Sequence, residues 1–234
     1  MDTLAVPAET WEAYLRFAGP RAIPGVEEVR EGTYRRTIRH RGAAGVLTVA
    51  PARERAAVRL AVSGLGLDAL ETARRAVCRM LDLDADTAAI DRALAADRVL
   101  APLVAARPGL RAPGAYDGWE LAVRAIVGQQ VSVGAATTLA GRVVRAVGTP
   151  LERPVGSLTH AFPLPRELAA ASLPGIGMPG RRVETLRGLG AALVTGTVAL
   201  DGELHLDASA GRPGRLPDRR CRTASCGRTP GTTW

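Results

Sequence analysis

Two amphipathic helices joined by a short polar turn constrain this chain more than any other feature. The stretch is Tyr116-Asp117-Gly118-Trp119-Glu120-Leu121-Ala122-Val123-Arg124-Ala125-Ile126-Val127-Gly128-Gln129-Gln130-Val131-Ser132-Val133. Asp117 is placed to cap the first helix, and Glu120, three residues on, to reach back to the capping residue's N–H. Trp119, Val123, Ile126 and Val127 recur at helical spacing and share one apolar face. Gly128 supplies a left-handed stop. Ser132 then caps a second helix, where Ala136, Ala140, Val143, Val144 and Val147 again share a face. Gln129 and Gln130 sit at the tip of these two apolar rods. From the local pattern alone they are either an ordinary turn facing water or a probe held out for use.

Upstream, residues 10–18 read as a short helix with Thr10 as N-cap and Tyr14, Leu15 and Phe17 as its bulky members. Three strand-like runs follow, Thr33 to His40, Val46 to Ala50 and Ala57 to Ser63. Alternation points to Val46/Thr48/Ala50 and Val58/Leu60/Val62 as faces, and Gly42, Gly45 and Pro51 punctuate the connections. From Asp68 to Leu81 the period becomes helical, with Leu70, Ala73, Val77, Met80 and Leu81 on one face and Cys78 a buried thiol. The fold class is therefore α+β. A small antiparallel sheet lobe with a helix (residues 1–83) precedes an all-α lobe (84–205), and Asp86 caps the first helix past the boundary. Helices are expected at 87–95, 98–105, 117–127, 133–147, 165–172 and 179–195, with Pro/Gly-rich linkers at 107–114 and 148–165.

Composition narrows the partners. Apolar residues make up 47% of the 234 and aromatics only 3%, so the core must be aliphatic. The net charge is +8, yet residues 211–234 hold six arginines against one aspartate, so most of the excess lies in the tail. All 31 basic residues are arginine. Cys221 and Cys226 with His205 match no strong zinc spacing, so no metal site is expected. His40, His160 and His205 look isolated. No leader or long apolar run is visible, so the expectation is a cytoplasmic, soluble monomer that does not enter a membrane.

The run from Ala122 to Val144, with Arg124-Ala125-Ile126-Val127-Gly128-Gln129-Gln130-Val131-Ser132-Val133 at its centre, resembles a segment of the 3-methyladenine DNA glycosylase II family, within the helix-hairpin-helix DNA glycosylase superfamily. Ala106-Arg107-Pro108-Gly109-Leu110-Arg111 with Pro113-Gly114, and Gly177-Met178-Pro179 with Arg182 and Glu184, resemble it too, so the likeness runs over roughly residues 10 to 200. The resemblance implies double-stranded DNA with alkylated bases as partner, base flipping, and cofactor-free hydrolysis of the N-glycosidic bond to an alkylated purine. Gln129, Gln130, Val131 and Ser132 would then enter the minor groove, with Gln130 in the gap left by the extruded nucleotide. Leu173-Pro174-Gly175-Ile176-Gly177 resembles a phosphate-binding hairpin, with Arg181 and Arg182 behind it. In the family's order, however, this segment falls at an earlier inter-helix turn. Phe17 and Tyr14 resemble aromatics of the family's base pocket, where electron-rich faces select cationic purines; as an alternative they are plain core residues.

The chain departs from the family in its last third, where a second Pro-Gly-Ile-Gly hairpin and a catalytic Asp are expected. Residues 206–234 show no apolar period and are rich in Arg, Pro and Gly, so they read as disordered, and as an out-of-frame translation of the missing segment. Asp218 is the only acid in the last 27 residues and is not promoted to catalyst. No catalytic residue is assigned and activity near zero is expected. The alternatives are a non-enzymatic damaged-DNA-binding protein or a decayed, truncated gene product with Val183, Leu186 and Leu193 partly uncovered.

Overall fold

A computed structural model describes residues 1–53 and 56–200. The tail expected at 206–234, together with His205, Asp218, Cys221 and Cys226, lies outside the described residues.

One antiparallel sheet forms the first layer. It contains β1 (Asp2–Ala5), β2 (Glu27–Arg30), β3 (Thr33–His40), β4 (Ala43–Pro51) and β5 (Ala57–Ser63), in the order β1-β5-β4-β3-β2. β3 and β5 have the expected bounds. The edge strands β1 and β2 were not expected, because Asp-Thr-Leu-Ala and Glu-Glu-Val-Arg carry no strand pattern of their own. Pairing recruits them, with Leu4 opposite Val58 and Val29 opposite Tyr34. In β4 it is Leu47 and Val49 that face the main core, not Val46/Thr48/Ala50. A run of apolar residues reveals strand but not face, and a shift of one residue inverts every side chain.

The helix α1 (Ala8–Ala18) begins two residues earlier than expected and its N-cap is Pro7, not Thr10. Pro7 presets the entry, and its carbonyl accepts from the Trp11 N–H at 3.1 Å. α2 (Asp68–Met80) lies on the sheet and buries Ala73, Val77 and Cys78 against Tyr34, Leu47 and Leu60. Each fully buried aliphatic side chain contributes about 1.5–3 kcal/mol.

The second layer is helical. α3 (Thr87–Leu94) and α4 (Ala101–Ala106) bury no residue, and Ile90, Leu94, Leu100 and Leu103 are exposed. α5 (Gly118–Val127), α6 (Val133–Val147), α7 (Pro165–Ala170) and α8 (Gly180–Val194) pack around Val123, Val127, Val143, Val144, Leu168 and Leu186. Leu186 is thus fully buried rather than partly uncovered. The expected linker 148–165 contains a ribbon, β6 (Thr149–Val155) and β7 (Leu158–Ala161). Its two prolines hid it: Pro cannot donate to a ladder, and the pairing breaks register between Pro150 and Val155.

The two layers share residues. Ile23 and Val26, from the segment between α1 and β2, are buried in the helical core. Gly141 lets α6 close on that segment, since a Cβ there would lie 3.1–3.3 Å from the Pro24 ring. Arg39 of β3 donates to the Phe162 carbonyl at 3.1 Å and reaches Glu167 at 3.2 Å. Two histidines expected to be isolated have partners. His40 Nε2 lies 2.9 Å from Asp68 Oδ2, and His160 Nδ1 lies 2.8 Å from Thr159 Oγ1.

Candidate nucleic-acid interface

The α5–turn–α6 unit forms with the expected boundaries and two local differences. Asp117 Oδ1 accepts from the Glu120 N–H at 2.6 Å, so the cap is made. The Glu120 side chain does not return to it. It turns inward and is 3% exposed. Gly128 keeps a right-handed φ of −80°, and the left-handed residue is Gln130, at φ +57°. Ser132 Oγ accepts from the Ala135 N–H at 3.3 Å and starts α6. All residues from Gln129 to Val133 are exposed.

The other motif comes to the base of this turn. Gly175 (φ +67°) and Gly177 (φ +85°) are exposed and shape a loop ahead of α8 whose Leu173 and Ile176 are buried in the helical core, in a backbone region that glycine occupies without strain. The Arg142 guanidinium donates to the Ile176 carbonyl at 3.3 Å. Arg182 donates to the Gln129 carbonyl at 2.9 Å, so its fork holds the turn's main chain. Arg181 is exposed at the start of α8.

Beside the turn lies a cavity of about 420 Å³ between α1, residues 113–116, α5 and α6. Phe17, Tyr14 and Val131 all line it; Gln129, Gln130, Ser132 and the 173–182 segment do not. Phe17 is 38% exposed and the Arg21 guanidinium stands 4.2 Å over its ring, so a cation already covers that face. Tyr14 is buried, stacked on Trp11 at 5.8 Å and edge-on to Tyr34 at 5.6 Å. Burial, reinforced by the nearby Glu27 carboxylate, pushes its phenol up, so it stays neutral.

The buried part of the cavity wall is ionic, which the sequence reading missed. Arg36 from β3 donates to Glu120 Oε2 and stands 3.9 Å over the Tyr116 ring. Arg124 donates to Glu120 Oε1 at 2.7 Å, to Glu27 Oε2, and to the main-chain carbonyl of Arg21 at 2.9 Å. Glu27 also accepts from the Tyr34 hydroxyl at 2.6 Å and from the Ile23 N–H at 3.0 Å. Burial alone would raise the Glu120 carboxyl, but Arg36 and Arg124 hold it down, at about 2. The signal was present. Glu120 shares the stripe of Val123 and Val127, and a carboxylate there must find a buried cation.

A family model described as the AlkA N-terminal domain matches residues 7–117. A protein of Mycobacterium tuberculosis, described as a probable bifunctional transcriptional activator/DNA repair enzyme AlkA, is 40% identical over 196 residues. That match covers 84% of this chain and 39% of the relative. DNA-3-methyladenine glycosylase 2 of Escherichia coli is 36% identical over 198 residues, 83% of this chain and 67% of that protein. Among solved structures, a 3-methyladenine DNA glycosylase from Archaeoglobus fulgidus superimposes with a TM-score of 0.67 at 22% identity, over 81% of this chain and 66% of that one. The fold is therefore shared, and the chain spans about two-fifths of the mycobacterial relative's length. No helix among the described residues is long and apolar enough to cross a membrane.

Proposed function

The chain belongs to the 3-methyladenine DNA glycosylase II family, and from that membership we propose that it engages double-stranded DNA at alkylated purines, with the damaged nucleotide swung out of the helix. The observation that carries this reading is the cavity lined by Phe17 and Tyr14 beside the exposed Gln129–Gln130 tip. A base inside the duplex is out of reach, so the enzyme must extrude it and fill the gap. Gln130 is the plug, its amide able to hydrogen-bond the orphaned partner base. Gln129, Val131 and Ser132 flank it in the groove, while the Gly175–Gly177 loop and Arg181 contact phosphates. Arg182 acts through the turn it holds. A cationic purine takes the place of Arg21 on the Phe17 ring.

Cleavage of the N-glycosidic bond needs a carboxylate free to stabilise the developing positive charge on the sugar. The carboxylates lining the cavity among the described residues, Glu27 and Glu120, are committed to Arg36, Arg124 and Tyr34. The sequence of residues 206–234 offers no counterpart to the family's catalytic segment. The 234-residue chain therefore binds the lesion without releasing the base.

Fluorescence anisotropy with matched duplexes at one salt concentration tests this. An abasic duplex spares the protein an unstacking cost of a few kcal/mol, so it should bind at least about tenfold more tightly than intact duplex. Gln130→Ala should remove most of that preference. Equal affinities for the two duplexes would contradict the binding reading. Enzymatic release of 3-methyladenine from alkylated duplex would overturn the predicted inactivity.

A further inference from the structure

We infer that Arg124 is a positioning residue, a single guanidinium that locks the wall of the base cavity to the rod carrying the Gln129–Gln130 tip. The inference rests on the base-flipping reading above. It concerns how the pocket and the plug are kept in register.

Arg124 lies in the last turn of α5, five residues before Gln129. Its Nη1 donates to the carbonyl of Arg21 at 2.9 Å, its Nε to Glu120 Oε1 at 3.1 Å, and its Nη2 to both Glu120 and Glu27. Arg21 ends the 3-10 turn Gly19–Arg21 that follows α1, and its own side chain donates back to the Phe17 carbonyl at 3.0 Å. Glu27 grips the far side of the same segment through the Ile23 N–H. The segment that places Phe17 is therefore clamped from two directions by groups that converge on Arg124. These interactions are largely screened from solvent: side-chain exposure is 26% for Arg124, 9% for Glu27 and 4% for Glu120.

Only a planar, multi-donor fork satisfies two carboxylates and a carbonyl together. A lysine ammonium is a compact point charge on a different stem and cannot span all three. Arg124→Lys therefore keeps the charge that Glu27 and Glu120 need while releasing the Arg21 carbonyl. The effect should fall on the registry between pocket and tip, and so on the discrimination between abasic and intact duplex.

The test compares wild type, Arg124→Lys, Gln130→Ala, the double variant, and Arg35→Lys as a control on the Glu28 ion pair outside the cavity. Arg124→Lys should lower the abasic-over-intact preference about tenfold while retaining a cooperative melt. The double variant should lose no more than the worse single one, because both act on one device. Arg35→Lys should leave the preference unchanged. A preference that survives in Arg124→Lys, losses that add, or an equal loss in Arg35→Lys overturns the assignment alone. A wild-type chain with no preference overturns the base-flipping reading and this assignment with it. Hydrogen exchange on wild type provides a readout that needs no substitution. On binding the abasic duplex, amides 17–19, 21–23 and 128–133 should slow together; protection confined to 128–133 overturns the assignment.

Discussion

Gln130 holds a left-handed backbone, φ +57°, at the exposed end of a turn. An L-residue with a Cβ occupies that region at a cost of about 1–2 kcal/mol, and such strain persists where surrounding structure fixes it. Here the fixing elements are the Ser132 cap and the Arg182 fork on the Gln129 carbonyl. Gln130→Gly should therefore leave the protein as stable as wild type or raise its stability by up to about 1 kcal/mol, read as a higher Tm. The same variant should lose its preference for abasic duplex, because the amide proposed as the plug is gone. A lower Tm would mean that the side chain, not the backbone, stabilises the turn. Sequence reasoning assigned the left-handed position to Gly128, where a glycine makes it cheapest. The turn instead runs right-handed through Gly128, whose N–H bonds to the Arg124 carbonyl at 2.9 Å, and reverses two residues later.

At the level of elements, α5 does two tasks, presenting the tip and burying Glu120 between two guanidiniums. Because the folded-state carboxyl sits at about 2 against an ordinary 4.5, Glu120 takes up a proton on unfolding in acid. Its contribution is complete above about pH 4.5 and disappears as pH falls towards about 2. Burial, and then the neighbouring Glu120, raise Asp117, which works in the opposite sense just above its ordinary value and partly offsets the upper end of that window. Thermal melts from pH 7 to pH 2 should show wild type losing stability below about pH 4.5. Glu120→Gln, which leaves Arg36 and Arg124 underpaired, should cost about 3–5 kcal/mol at pH 7 yet flatten the acid limb. An unchanged acid limb would remove Glu120 from the account of acid stability. The helical bounds of α5 and α6 were legible because caps and apolar period agree there. The strands β1, β2 and β6 were not, since partners across the sheet and prolines at the ribbon ends decide them. The Glu120 cluster was overlooked because a capping box offered a sufficient local explanation.

Across the whole molecule, the sheet and the helices are joined by a shared core at Ile23 and Val26, by Arg39, and by the Arg36–Glu120–Arg124–Glu27 cluster. The ion cluster lines the cavity itself, whereas Arg39 ties the sheet to the ribbon and to α7 away from it. The aromatic wall was legible through a family resemblance. The ion cluster behind it draws on residues up to 97 positions apart, and no local pattern reports such a pairing. The most direct test of the central claim is the fluorescence of 2-aminopurine placed in a duplex at the position to be extruded. Saturating wild-type protein should raise the emission as the base leaves the stack, and Gln130→Ala should give little rise at equal occupancy. Emission that stays at the level of free duplex under saturating protein would contradict base extrusion and, with it, the role assigned to the glutamine tip.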